Sequence, residues 1–317
     1  MNLRESVFSA LLHAENYISG AELAADHQVS RTAVWKVIEH FRAEGCEIES
    51  APNRGYKLVS HPDLFCESYL KQAVQDCRTD WQFHYFKELD STNRFAKTLA
   101  TRNAPSGTVV IADQQTAGRG RTGKSFYSPA GNLYFSIIEK LPLPVSDMMS
   151  VTACTAAAVF LALEQFGITT QIKWVNDLFL NQKKICGILS EGSFNAELLS
   201  MDYLVIGIGI NLHHDPDCPE ELQSIITDLE TETGKRIHKY DLLTAILKQL
   251  EILLDGISSH SYLDIYTKNS CTLGHRVRTD DGTEGTAIGF TEDAGLIIEL
   301  ADGTKQILRT GSAVVID

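Results

Sequence analysis

Three glycines are interleaved with three fixed cations in Gly118-Arg119-Gly120-Arg121-Thr122-Gly123-Lys124-Ser125-Phe126. Glycine lets backbone N–H groups approach a ligand closely, and arginine offers carboxylate or phosphate a planar fork. A segment of this composition surrounds an anion. It follows the strand-like run Val109-Val110-Ile111-Ala112. A second chemical stretch pairs Asn176 and Asp177 with Lys183 and Lys184, an amide, a carboxylate and two ammonium groups flanking apolar strands. A third, Ser91-Thr92-Asn93, opens a helical stretch from Arg94 to Arg102. The first turn of a helix leaves free N–H groups suited to a polar or anionic ligand, although a Ser or Asp there is, taken alone, an ordinary N-cap. Gly207 and Gly209 fall on one face of the strand Tyr203 to Asn211, where a ligand or another backbone can come close. The full Gly-x-Gly-x-x-Gly is missing, which disfavours a dinucleotide site. His213-His214-Asp215 reads as a surface loop, since adjacent histidines do not converge on a metal easily.

These residues need a scaffold. The chain has 317 residues, enough for about two or three domains. A net charge of −13 argues against polyanion binding by the whole surface but leaves room for one cationic face. Seven scattered cysteines without a Cys-x-x-Cys pair disfavour a zinc site or a disulfide framework. With no basic-then-apolar leader and no apolar run of membrane-spanning length, the expectation is a reduced, cytoplasmic protein with no membrane partner.

Residues 1–62 are expected to form a winged helix-turn-helix. Leu3, Val7, Leu11 and Leu12 make one apolar stripe, and Val34, Val37, Ile38 and Phe41 make another at i, i+3, i+4, i+7. Ser19 with Glu22 matches a capping box before a short helix, and Ser30 caps the next. Two strand-like runs, 46–50 and 55–59, flank a turn at 51–54. The layout turns Arg31, Thr32, Trp35 and Lys36 toward a major groove, with Ser30 at the helix start and Arg54 in the wing. Residues 28–57 carry five Lys/Arg against four acids, so charge alone says little. A small bundle that binds protein is the competing reading. Residues 63–268 mix strands and helices, including a long Ala-rich core helix from Ser150 to Phe166. From 269 to 317, turns at Asp281-Gly282, Ala294-Gly295 and Asp302-Gly303 punctuate short strands, the pattern of a small SH3-like β-barrel or sandwich. The whole is thus an α/β (α+β) multidomain chain.

In order, Ser91-Thr92-Asn93, the loop from Gln115 to Arg121, Lys173-Trp174-Val175-Asn176-Asp177-Leu178, Lys184-Ile185-Cys186-Gly187 and Gly207-Ile208-Gly209-Ile210-Asn211 resemble the biotin protein ligases. With the helical module in front, the chain looks like the bifunctional type that is also a biotin operon repressor. The resemblance implies that ATP and biotin form biotinoyl-5′-AMP with Mg²⁺. A lysine of the biotin carboxyl carrier protein of acetyl-CoA carboxylase then takes the biotin. It places Ser91, Thr92, Asn93 and Gln115 on the biotin ring, and Arg119, Gly120 and Arg121 over biotin and phosphate. Lys184 falls on the carboxylate or phosphoryl oxygens. Gly118, Arg121, Lys124, Asn176 and Asn211 go to ATP or the adenylate, and Asp177 to the metal or the incoming lysine. Arg119, Lys184 and Asp177 are the implied catalytic set. The loop is expected to be mobile, and adenylate binding to favour a homodimer on operator DNA. Thr122, Lys124, Phe126 and Val175 depart from the residues usual in the family at those places. A ligase with a non-regulatory amino-terminal module, a degenerate sensor and a lipoate-type ligase are the alternatives.

Overall fold

The computed structural model describes residues 3–141, 148–195 and 200–317. The chain divides into two compact units, Met1–Asp76 and Cys77–Asp317. The first contains α1 (Leu3–His13), α2 (Gly20–Asp26), α3 (Arg31–Ala43), β1 (Glu47–Ala51), β2 (Gly55–Ser60) and α4 (Glu67–Ala73). Its core joins Val7, Phe8 and Leu11 of α1 to Leu23 of α2 and to Val34, Ile38 and Phe41 of α3. The expected stripe is therefore the buried one. Ser30 Oγ accepts from Ala33 N at 3.1 Å and starts α3. Ser19 Oγ accepts from Ala21 N at 3.1 Å, while Glu22 stays exposed, so the serine half of the capping box forms without the glutamate half. The antiparallel hairpin β1–β2 is extended by a bridge from Ile18 to Tyr56, giving the wing a third short edge.

The second unit is built on a seven-stranded sheet. Its strands are β3 (Gln82–Leu89), β4 (Thr108–Gln115), β5 (Leu133–Glu139), β6 (Gln171–Lys173), β7 (Asp177–Leu180), β8 (Lys183–Asn195) and β9 (Ser200–Ile210). They lie in the order β3-β4-β5-β9-β8-β7-β6, with β3 and β4 parallel and every other pair antiparallel. The helices are α5 (Thr92–Thr101), α6 (Met148–Gln165), the short α7 (Glu220–Gln223) and α8 (Leu229–Thr233), α9 (Lys239–Asp255) and α10 (Ser261–Lys268). Every residue of β5 is buried, as its central place requires. The alanines of α6 let it lie close to β6, β7 and β8 and against α9 and α10. By length and composition α6 passes for a membrane span, contrary to the sequence expectation, but 72 % of it is buried in the protein core. Gly256 ends α9, and a short turn leads from it into α10. The last five strands, β10 (Arg276–Thr279), β11 (Glu284–Phe290), β12 (Leu296–Glu299), β13 (Lys305–Leu308) and β14 (Ala313–Val315), form one antiparallel sheet in the order β13-β12-β11-β10-β14.

One buried acid makes stability depend on pH. Glu139, at the end of β5, is 7 % exposed; burial raises its carboxyl from 4.5 to about 7, and a hydrogen bond from Ser106 offsets this only in part. The folded state holds this proton more tightly than the unfolded chain does. The stability it confers is thus complete below about pH 4.5 and lost as pH rises through about 7. The difference amounts to roughly 3 kcal/mol. Glu139→Gln should therefore raise stability at pH 8 and leave it nearly unchanged at pH 4.5, as read by urea denaturation at both pH values. Equal gains at the two would contradict the assignment.

Candidate active site

The start of α5, the glycine–arginine loop, the turn into β7 and the glycines of β8 and β9 converge on one cavity of about 460 Å³. Ser91, Thr92, Asn93, Gln115, Arg119, Gly120, Arg121, Lys124, Asn176, Asp177 and Lys184 all line it. One wall is polar and densely hydrogen-bonded. Thr92 donates from its N (2.8 Å) and Oγ1 (3.1 Å) to Gln115 Oε1, and Gln115 Nε2 donates to Ser128 Oγ at 3.0 Å. Ser91 makes no side-chain cap bond, so Gln115 rather than a local N-cap takes up the first amide of the helix. Asn93 Nδ2 donates to Leu189 O at 3.2 Å and to Glu191 Oε2 at 2.8 Å. Ser136 Oγ lies 2.6 Å from Asn93 Oδ1 and 2.7 Å from Thr92 Oγ1. Ser136 was not singled out in the sequence; a small polar side chain inside the apolar run of β5 was the signal for it.

The floor is bare backbone. Gly187 pairs with Gly209 and Leu189 with Gly207 across β8 and β9. A Cβ at Gly207 would fall 2.0 Å from Asn93 Oδ1, and one at Gly209 would fall 2.5 Å from the Phe126 ring. The Phe126 ring thus lies against this floor through its Cε and Cζ atoms, edge-on to Tyr134 at a centroid distance of 6.4 Å. The cations gather at the rim. Lys184 Nζ pairs with Asp177 Oδ1 at 2.7 Å, and the two side chains are 22 % and 24 % exposed. Arg121 donates to Asn176 Oδ1 at 3.2 Å and to Gly311 O at 2.8 Å. Burial lowers its pKa from the ordinary arginine value, while Asp177, Tyr266 and Asp280 favour the charged form. Arg119 and Lys124 are exposed. The loop expected to be mobile is folded as a small hairpin, with Gly120 N donating to Lys124 O (2.8 Å) and Phe126 N to Gly118 O (2.9 Å).

Two residues implicated by the sequence lie elsewhere. Gly118 is buried against Phe126 O and Ser128 Oγ, so it serves the base of the hairpin rather than the cavity wall. Asn211 donates through Nδ2 to Thr227 O at 2.9 Å and lines a second cavity of about 270 Å³. His213, His214 and Asp215, expected on a surface loop, line it as well. Phe126 and Lys184 face the first cavity, whereas their chain neighbours Tyr127 and Lys183 face the second. Asp280, Gly311 and Ser312 of the carboxy-terminal sheet complete the first cavity and were not foreseen. Among the described residues no group of three or more His, Cys, Asp or Glu could hold a metal ion. The carboxylates in the cavity lining are Asp177, paired with Lys184, and Asp280, held by Ser312, too few to form the ligand set of a resident metal.

In the first unit, Arg31, Thr32, Trp35 and Lys36 are exposed on the side of α3 opposite its core stripe, and Trp35 is 51 % exposed. The neighbouring acids are engaged within the unit. Glu39 pairs with Arg42 and Glu44 with Arg4, each at 2.6 Å, while Glu49 accepts from Tyr17 OH at 2.6 Å and Glu47 from Ser60 Oγ at 3.1 Å. Arg54 stacks over the Tyr17 ring at 4.4 Å. Among the described residues Arg31 and Lys36 enter no ion pair. The near-neutral charge sum of this segment therefore hides a segregated cationic face.

Comparison with known proteins matches residues 85–211 to the biotin/lipoate A/B protein ligase family and residues 4–57 to an HTH domain. Over 315 residues, 96 % of each chain, the protein is 36 % identical to the bifunctional ligase/repressor BirA of Bacillus subtilis (strain 168). The chain belongs to the bifunctional biotin ligase/repressor family. It is also 30 % identical over 207 residues to the Escherichia coli (strain K12) bifunctional ligase/repressor BirA, covering 64 % of this chain and 62 % of that one. The fold of this ligase/repressor is similar to that of the Aquifex aeolicus biotin protein ligase in complex with biotin and ATP, with 29 % identity and a TM-score of 0.62. That similarity covers 74 % of this chain and 98 % of the Aquifex chain.

Proposed function

We propose that the larger cavity is where this biotin–protein ligase joins biotin to AMP, releasing pyrophosphate, and then passes biotin to a lysine of a carrier protein of the acetyl-CoA carboxylase type. The observation that carries this reading is the meeting of an engaged amide–hydroxyl wall with four fixed cations, Arg119, Arg121, Lys124 and Lys184, around one cavity. Both reactants are anions, and charge placed in advance favours the approach of a carboxylate to the α-phosphate. Ser91, Thr92, Asn93 and Gln115 would hold the polar ring of biotin, whose apolar face would rest on Gly187 and Gly209. Phe126 occupies that floor here and would have to swing over the ligand. Arg119, Gly120 and Arg121 would close on the mixed anhydride and keep water out. Lys184, paired with Asp177, would move its charge to the carboxylate or phosphate. Asn176 and Asp177 would face ATP. Mg²⁺ arriving on ATP would find its carboxylate ligand in Asp177 and would offset phosphate charge. Asn211, which lines the second cavity, would contact the adenylate from there. Pyrophosphate release should require biotin and ATP together; equal turnover with lipoate would overturn the choice of acid.

The first unit is the operator-binding half. In this reading residues 1–62 bind DNA, 63–268 perform ligation and 269–317 complete the site, with a homodimer forming on the adenylate. Replacing Arg31 and Lys36 by alanine should weaken operator binding roughly tenfold for each residue and flatten its salt dependence. Ligation should stay within about twofold of wild type, since the two cations lie outside the catalytic unit. Fluorescence anisotropy at several salt concentrations measures the first quantity and carrier labelling the second. Equal loss of both activities would contradict the division of labour, and operator affinity indifferent to biotinoyl-AMP would contradict the switch.

A further inference from the structure

The carboxy-terminal sheet reaches the ligase cavity through a chain of contacts to Arg121. At the turn after β10, Asp280 accepts from Ser312 N at 2.7 Å and from Ser312 Oγ at 2.5 Å. Those two bonds fix the turn before β14, and the preceding carbonyl, that of Gly311, receives Arg121 at 2.8 Å. Gly311 is held at φ +90°, and a Cβ there would lie 2.9 Å from Asp280 Oδ2, so the turn is shaped around the carboxylate. On its other side Arg121 donates to Asn176 Oδ1 at 3.2 Å. The guanidinium is thus gripped from two elements far apart in sequence, yet two of its five N–H groups suffice for the grip. Among the described residues the other three meet no acceptor and remain for a ligand.

We infer that Asp280, acting through Ser312 and the Gly311 carbonyl, is a positioning residue that holds Arg121 ready for the phosphate of ATP and of the adenylate. The inference rests on the assignment of Arg121 to phosphate made above. A cation held in place before the ligand arrives loses less freedom on binding and needs less rearrangement than a free one. Removing the brace should leave the chemistry intact while weakening hold on the phosphate. The same contacts give the carboxy-terminal sheet a task in adenylation, although it presents no reacting group itself.

The test uses the full chain with Asp280→Ala, Asp280→Asn and Arg121→Ala, alone and combined. KM for ATP and kcat are read from pyrophosphate release, and adenylate dissociation from a chase of the preformed labelled complex. Asp280→Ala should raise KM for ATP and speed adenylate loss about tenfold, the worth of a hydrogen bond to a charged group, with kcat within about twofold. Asp280→Asn, whose amide oxygen can still accept from Ser312, should recover most of the loss. In the Arg121→Ala background, Asp280→Ala should add less than about twofold, because the brace then has nothing to hold. Full multiplication of the two effects would overturn the inference, since Asp280 would be acting on the ligand itself or on folding. So would an unchanged KM and release rate in Asp280→Ala. If Arg121→Ala alone leaves ATP and adenylate binding untouched, the phosphate assignment of the site fails, and the brace with it.

Discussion

Replacing Lys184 by alanine should slow adenylate formation by about 10²–10³-fold, the usual cost of removing a group aimed at charge that develops in the transition state. The expected loss is large for two reasons. The ammonium that would meet the biotin carboxylate or the α-phosphate is gone. Its partner Asp177, which pairs with Lys184 at 2.7 Å in the wild-type chain, keeps among the described residues only Arg121 as a cationic neighbour and faces two anionic substrates. Removing one member of a partly buried pair commonly costs more than the pair was worth, since the survivor is left uncompensated. Lys184→Arg should recover part of the rate, limited by the fit of the larger planar group. Lys183→Ala should change the rate little. Its ammonium donates to Gln223 O at 2.9 Å and faces the other cavity. Single-turnover quench measurements separate the two lysines, and a larger loss at Lys183 would contradict the geometry.

Gly207→Val should abolish measurable biotin binding and destabilise the ligase unit by roughly 2–4 kcal/mol. The first added carbon already meets Asn93 Oδ1 at 2.0 Å, and Asn93 cannot retreat without giving up Leu189 O, Glu191 Oε2 and Ser136 Oγ. Asn93 is 5 % exposed, so its amide would lose partners in a place that water does not reach. Alanine should do most of the same damage. Shortening the neighbour to make Asn93→Ser in the Gly207→Ala background should restore stability but not biotin affinity. Calorimetric titration with biotin, beside thermal denaturation, distinguishes the two losses. Wild-type affinity in Gly207→Ala would show that Asn93 does not shape the site.

What the sequence made legible follows from how local each signal was. The winged helix-turn-helix could be read because its stripe on α3 and its cap at Ser30 act within a few residues. The strands leading into Asn176 and away from Lys184 were legible for the same reason, their turn lying at Asn181 and Gln182, both at positive φ. The glycines at 207 and 209 announced a close approach. What approaches, the Asn93 amide and the Phe126 ring, depends on segments about a hundred residues away. The role of Gln115 in capping α5 was equally hidden, since a glutamine 23 positions downstream carries no capping signature. Least legible was the carboxy-terminal sheet. Asp280 and Gly311 look like turn residues, and only the fold brings them to Arg121.

The central claim is that one cavity both activates biotin and hands it to a carrier. The most direct measurement is the intact mass of an apo biotin carboxyl carrier domain incubated with this protein, ATP, Mg²⁺ and biotin. The account predicts a gain equal to one biotin less one water on a single lysine. It predicts no such gain when ATP is omitted or when Lys184 is replaced by alanine, within the time of one wild-type turnover. An unmodified carrier after prolonged incubation, or labelling that proceeds without ATP, would contradict it.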